Sequence, residues 1–375
     1  MASEHLIELE SLLQPISDDN PVGDDIRESA SATSPYFNIK DARAAARSSE
    51  RNHMFDADTS EADQLWRTVL DLAPDILKNQ AKDLEVASWY TEALIRRYGF
   101  QGLRDGFKLI HGLIEQYWDN LYPLPDEDGI ETRVAPLTGL NGEGAEGVLI
   151  VPIRNADITQ GGEPGPFSFW NYQQVLDIEK VIDEDEKRDK ADKLGFTLAD
   201  IEQAVEESSE TFFVDLRDDV TETVEIYRSI SQMLEQHCGI NDSPPTSNII
   251  NILQDSLGVI KHIAKLKFPA ENSESDSSED SAQGSSAENS DAPQKSAARQ
   301  TGPISSREDA FKQLKEISAF FRKTEPHSPI SYVIERAVVW GDMSLENLVK
   351  ELIPDSTARY TFSSLTGVKS DDDYN

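Results

Sequence analysis

Four groups of residues have types and spacings that could do chemistry. Gly142-x-Gly144-x-x-Gly147 has the letters of a dinucleotide-binding loop. Such a loop needs a strand before it and a helix after it, so that pyrophosphate meets a helix N-terminus. Here the strand candidate, Val148-Leu149-Ile150-Val151, follows the glycines, and a glycine-rich surface loop is the better reading. Asp126-Glu127-Asp128-Gly129 opens like a calcium loop, but Leu137 stands where the closing bidentate Glu is required. A solvated acidic turn accounts for it, and the dense charge run at residues 183–193 reads as a solvated helix face. His237 beside Cys238 pairs a base with a thiol, yet neighbouring helical residues point in different directions and seldom work together. The 6 histidines show no metal-binding spacing, and a single Cys cannot complete a zinc set. No Gly-x-Ser-x-Gly elbow or phosphate-binding Lys loop is present. The expectation is a non-enzymatic chain with no catalytic residue, no metal site and no cofactor.

Charge narrows the partners. Asp and Glu number 70 against 35 Lys and Arg, a formal charge of −35 over 375 residues. Nucleic acid and anionic membrane surfaces both call for clustered cations, and the sequence shows no basic stripe, so neither is expected. One cysteine allows no internal disulfide and suits a reducing compartment. The first ten residues carry Glu4, Glu8 and Glu10 and do not read as a secretory signal. Nothing approaches the ~18 consecutive apolar residues of a membrane span. A cytoplasmic protein without membrane insertion is expected.

The elements that would position these residues are helical. Leu6 to Leu13 is a short apolar run ending at Pro15, followed by turn residues through Asp25 and weak patterning up to about Thr59. Ser60 with Asp63 starts a helix through Leu65, Val69, Leu72 and Ile76, which Pro74 should bend or split. Two amphipathic helices follow. The first carries Leu84, Trp89 and Leu94 and ends at Gly99; the second carries Leu103, Phe107, Ile110 and Ile114. Their short connection makes them an antiparallel hairpin. Residues 121–129 form a Pro and acid loop, and residues 148–151 are the best strand candidate, held as a small strand or hairpin insertion. Helical spacing returns from Trp170, restarts at the Thr197 and Asp200 pair, and runs as a long stripe from Phe213 through Leu234 to Gly239. Beyond Pro244 and Pro245 another helix carries Ile249, Leu253 and Ile260. Trp89, Trp118, Trp170 and Trp340 read most simply as core, with interface anchoring the alternative.

The character of the chain then changes twice. Residues 271–300 have no aromatic or branched aliphatic side chain, so they are expected to form a flexible acidic linker. After it, Ser305 with Glu308 opens a helix bearing Phe311, Leu314, Ile317 and Phe321. Ser328 and Pro329 open a second, through Ile330, Val333 and Val338 to Trp340 and Gly341; Ser344 opens a third, with Leu348. A three-helix module of some sixty residues has a small core and leans on oligomerisation. Those apolar side chains are the candidates for self-assembly, without a division between the module's own core and the contacts between copies.

Several long blocks, in order, resemble the ImpA/TssA family of bacterial type VI secretion. At the N-terminus these are Leu12-Leu13-x-Pro15-Ile16-Ser17 and Asn20-Pro21-x-Gly23-x-Asp25. Next come Lys82-Asp83-Leu84-Glu85 with Trp89 and Glu92, then Trp118-Asp119-Asn120-Leu121-Tyr122-Pro123-Leu124-Pro125-Asp126-Glu127-Asp128. Leu140-Asn141-Gly142, Gly165-Pro166-Phe167 with Trp170, and Arg322-x-x-Glu325-Pro326-His327-Ser328-Pro329 extend the resemblance. It implies a mainly α-helical assembly factor of a Gram-negative bacterium. Its expected divisions are an ImpA-type domain over 1–166, a helical middle over 167–268, the linker over 269–303, a ring-forming module over 304–368 and an acidic tail over 369–375. The resemblance further implies a homo-oligomeric, dodecameric ring. Implied contacts are baseplate subunits, the Hcp tube, sheath proteins and the membrane complex, at the baseplate or the distal sheath end. From the residues alone, a metal-dependent hydrolase and a monomeric adaptor remain open alternatives.

Overall fold

The computed structural model describes residues 2–28, 31, 34–52, 60–127, 129–268, 307–324, 330–341, 343, 348 and 351. Among the described residues the secondary structure is helical, with isolated bridges and no strand. The chain divides into two compact units, residues 1–278 and 279–375.

In the first unit, α1 (Leu9–Leu13) leads by a loop to α2 (Pro35–Asn52) and α3 (Ser60–Asn79). Helix α2 lies where the sequence shows only weak patterning. Its buried face, Tyr36, Ile39, Ala42, Ala46 and Ser49, has helical spacing but is built largely from small side chains, which leave little apolar signal. Pro35 supplies a favourable first position. Helix α3 passes through Pro74 as one element and is not split there.

The centre of the unit is α4 (Leu84–Tyr117), two arms that reverse at Gly99, whose φ of 59° is in the left-handed region that suits glycine. The Leu84 amide donates to the Tyr122 carbonyl at 2.7 Å, and Tyr122 donates back to Lys82 at 3.1 Å. A straight helix of this length would separate those ends by roughly 50 Å. The arms are therefore antiparallel, as the sequence predicts. They also touch: a Cβ at Gly102 would lie 2.3 Å from the Leu94 carbonyl oxygen, and one at Gly106 would lie 2.6 Å from the Thr91 hydroxyl.

Next come α5 (Glu131–Asn141), α6 (Ile150–Asn155) and α7 (Phe169–Glu179). The strand expected at residues 148–151 is a turn running into α6. Leu149, Ile150 and Ile153 are buried at helical spacing while Val151 is exposed, and Pro152 sits in the first turn, where its missing N–H costs nothing. Trp170 is 44% exposed rather than core. Phe169, Tyr172 and Val175 take the buried face of α7, and Trp170 points off it.

The charge run forms α8 (Glu184–Leu194), with no buried residue. In α9 (Leu198–Glu207), Asp200 accepts from both the amide and the hydroxyl of Thr197, each at 2.7 Å. The long stripe is α10 (Glu210–Cys238), ended by Gly239, and α11 (Ser247–Ile263) follows. Helix α10 packs along the second arm of α4, where the Phe107 and Tyr227 rings stack at 4.6 Å. After α11, Lys267 donates to the carbonyls of Glu206 and Ser208, and the Arg217 guanidinium covers the Phe268 ring at 4.9 Å.

The second unit contains α12 (Arg307–Thr324) and α13 (Ile330–Gly341). They are antiparallel: Ser318 donates to the Ser331 carbonyl at 2.8 Å, Arg322 pairs with Glu335, and a Cβ at Gly341 would strike the Phe311 ring. The expected linker, His327 with the turn around it, and the acidic tail lie outside the described residues, as does most of the expected third helix.

Gly102→Ala should destabilise the first unit by about 1–3 kcal/mol, because the added methyl must push one arm off the other. Gly139→Ala, where a Cβ meets nothing within 4 Å, should be neutral or slightly stabilising. Urea unfolding of the two variants checks the contrast.

Candidate functional site

Of the signature residues, Pro21, Gly23, Asp83 and Pro123 gather at the base of the α4 hairpin. Gly23, at φ 75°, lies so close to Gln80 that a Cβ would be 1.9 Å from its carbonyl oxygen. Lys82 donates its amide to Val22, and Asn20 holds the turn by donating to the Gly23 carbonyl at 2.8 Å. Pro21 and Gly23 thus seat the N-terminal loop against the residues entering α4. Pro15 follows α1, and Pro123 follows the Tyr122 rung that closes the hairpin.

Asp83 is fully buried and caps α4, accepting from the Val86 amide at 2.9 Å. Arg27 grips its carboxylate with both terminal nitrogens, at 2.6 and 3.3 Å, and reaches Glu85 at 2.7 Å. Burial pushes the Asp83 carboxyl up, and Arg27 opposes that shift. Burial also works against the Arg27 charge, but Asp83 and Glu85 more than compensate and hold it above its ordinary value. Tyr36 completes the group by donating to Glu85 at 3.1 Å, and its hydroxyl is pushed up to about 12 by burial and by Glu85.

Beside this cluster, Lys82 has no carboxylate partner among the described residues. Its ammonium donates to the carbonyls of Leu12 and Leu77, each at 2.7 Å, at the C-terminal ends of α1 and α3. A cation there meets the negative ends of two helix dipoles. Burial lowers its pKa to about 8.

Further along α4, two Arg–Glu pairs with tryptophans lock the arm to α2 and α3. Arg43 donates to buried Glu92 at 2.8 and 2.5 Å, beside the Trp89 ring. Arg96 grips Glu50, lies 4.1 Å over the Trp66 ring, and shares Glu50 with the Trp66 indole N–H. Trp89 and Glu92 are therefore joints between helices. Trp118 carries the Arg133 guanidinium 5.2 Å from its ring, and the His237 ring stacks on it at 4.6 Å. Burial raises the Cys238 thiol, opposite to what an activated nucleophile needs.

Asp126 accepts from Thr132 at 2.6 Å within a turn, Pro125 is exposed beside it, and Asp128 lies outside the described residues. Among the described residues no cluster of His, Cys, Asp or Glu has the makings of a metal site. The glycine-rich loop closes on itself: a Cβ at Gly142 would meet Gly147 and Ala145 backbone, and α5 rather than a strand precedes it. Asn141 turns its side chain to the Ile249 amide at 3.0 Å and so tethers α11.

Sequence reasoning missed Arg104. It is fully buried and joins the Asp219 carboxylate at 2.5 Å, Asp105, and the Ser3 and Glu4 carbonyls. An arginine inside an otherwise apolar helical stripe was the available signal.

In the second unit Val338 is buried, Phe311 packs on Gly341, and Trp340 donates to Glu351 at 3.0 Å while Arg336 covers its ring. Leu314, Phe321 and Leu348 are half-buried, and Val333 is 60% exposed. Nothing is described of the Ile330 side chain.

With this geometry in hand, residues 13–142 match the family described as ImpA, N-terminal, type VI secretion system. The type VI secretion system component TssA1 of Pseudomonas aeruginosa is 24% identical over 373 residues, covering 98% of this chain and 100% of the relative. A solved N-terminal domain from Burkholderia cenocepacia, which includes the conserved ImpA_N region of the TssA component of the type VI secretion system, is 25% identical with a TM-score of 0.57. It aligns with 70% of this chain and 96% of that one. The clasped hairpin and the loop seated at its base thus define an ImpA-type N-terminal domain. Beyond that domain, the chain is similar over nearly its full length to a TssA component of the type VI secretion system.

Arg27→Ala should cost about 3–5 kcal/mol, because it leaves buried Asp83 without its counter-charge; thermal unfolding of the full chain checks this. For Lys82 the sign follows from its lowered pKa. Between about 8 and the ordinary 10.5, the unfolded chain binds a proton that the folded chain has released. The stability of the wild type relative to Lys82→Met should therefore rise with pH through that window, as parallel denaturation curves would reveal.

Proposed function

We propose that this chain is a non-enzymatic scaffold of the type VI secretion machine, acting in the cytoplasm at the baseplate or the distal end of the sheath. Its C-terminal module, residues 304–368, self-assembles into a closed ring, with twelve copies the number implied by the family. Its N-terminal body, residues 1–268, recruits baseplate subunits, the Hcp tube, sheath proteins or the membrane complex. The observation that carries this reading is on the α12–α13 pair. Phe320, Tyr332, Val333 and Val339 are each more than half exposed there, while small Ser318 and Ser331 are buried. A two-helix element that turns its large apolar side chains outward gains stability by covering them with further protein. Multiplying the module multiplies the recruiting bodies, so weak single contacts sum to high avidity.

Within the candidate set, Val338 and Phe311 hold the module together, and Val333 faces the next copy. Light scattering on the intact protein at micromolar concentration should give a mass many times that of one chain. Phe320→Glu combined with Val333→Glu should reduce it to a single subunit with the helix content kept. A monomeric wild type would sink the scaffold reading, and an undiminished oligomer would sink the assignment of this face.

A further inference from the structure

A groove of about 1200 Å³ opens in the first unit around the turn of α4, far along the hairpin from the signature residues at its base. Helix α2 contributes Arg47 and Arg51, the turn contributes Arg97 and Tyr98, the segment leading into α6 contributes Val148, and α6 itself contributes Val151. The sequence shows no basic stripe, but the structure makes one. Lys40, Arg43, Arg47 and Arg51 recur every three or four residues along α2, and Arg96 and Arg97 stand close by. In a chain of net charge −35 this wall of the groove is a local concentration of cations, facing acids on the other walls.

The arginines divide by partner. Arg43 takes Glu92, and Arg96 takes Glu50. Arg47, Arg51 and Arg97 have no carboxylate partner among the described residues. Arg47 is the informative one. The second carboxylate oxygen of Glu92 is buried without a hydrogen-bond donor, yet Arg47 does not bond it and lines the groove instead. Burial, with Arg43, Arg96 and Arg51 around it, lowers the Arg47 pKa although Glu92 pulls the other way. An incoming carboxylate would relieve that crowding of like charge. Beside these cations, Tyr98 and Val151 are 45% and 47% exposed and offer an apolar seat. Asp157 and Asp215 line the groove toward α6 and α10, as do Glu146 and Asp219, which are paired with Arg154 and Arg104; Asp63 of α3 and the Arg96-paired Glu50 line it as well. Carboxylates belong against α2, with an apolar or neutral side chain toward α6 and α10.

We propose that this groove docks an acidic peptide segment of a partner protein, its carboxylates on Arg47, Arg51 and Arg97 and an apolar side chain on Tyr98 and Val151. The proposal stands apart from self-assembly, since it rests on the first unit alone.

Fluorescence anisotropy on the full chain tests it with a labelled hexapeptide, Glu-Glu-Leu-Phe-Glu-Glu, and a control bearing Gln for each Glu. The acidic peptide should bind saturably, weaken with added salt, and lose about tenfold in affinity on Arg97→Glu and again on Arg51→Glu. Both positions are exposed, so the fold is spared. The Gln peptide should bind at least about tenfold less well, equivalent to roughly 1.4 kcal/mol. Equal binding of the two peptides, indifference to both substitutions, or no saturation by about millimolar peptide would each overturn the proposal. Replacing Glu271 and Glu274 by Gln and Asp276 by Asn should leave the affinity unchanged. A tenfold rise would mean that the chain's own acidic stretch fills the groove, and would overturn the assignment to a partner.

Discussion

The close approach of the two α4 arms at Gly102 and Gly106 is the constraint on which the first unit is built. Gly102 meets the Leu94 backbone and Gly106 meets the Thr91 side chain, with no room for a further side chain at either. That contact returns the chain to its starting point, so the residues entering the first arm lie beside Tyr122. The N-terminal loop then has a fixed edge to pair with, and Lys82 and Asp83 become buried groups with assigned partners. Helix α10 gains a long seam on the second arm, where Arg104, Phe107, Lys108 and His111 meet Asp219, Tyr227, Glu222 and Ser229. Separate the arms, and each of these arrangements loses its frame.

A second theme is how an acidic chain spends its scarce cations. Arg27, Arg43, Arg96 and Arg104 each bridge to a carboxylate on a distant stretch of chain, and Arg133 and Lys82 each satisfy carbonyls at helix ends. Ion pairs of this kind add little net stability over apolar packing, but breaking one strands a buried charge. Their role is to specify which helix lies against which. Much of the remaining acid, including all of α8, sits in solvent.

The long helices were legible in the sequence because their apolar side chains are large and regularly spaced, as in α10 from Phe213 to Leu234. Capping pairs such as Thr197 and Asp200, and terminators such as Gly99 and Gly239, were legible for the same local reason. Helix α2 was not, since alanines carry its contact face, nor was α6, since four consecutive apolar residues suit a strand equally well. The signature blocks could be picked out, but not that Pro21, Gly23 and Asp83 meet at one place. That meeting depends on the reversal at Gly99, which no local spacing reports. Arg104 was missed because its carboxylate partner on α10 lies 115 positions away. The division of the tail residues between interior and outward faces likewise depends on how α12 lies on α13.

The last described residues of the first unit, Lys267 and Phe268, have a mechanical consequence. Lys267 is moored to the carbonyls of Glu206 and Ser208, and Phe268 is pinned beneath Arg217. Tension applied just beyond Phe268 is thus received by the α9–α10 junction rather than by the last turn of α11 alone. Load enters the body through several bonds in parallel, against the helix that packs along the second arm of α4, and α11 is spared from being peeled away turn by turn.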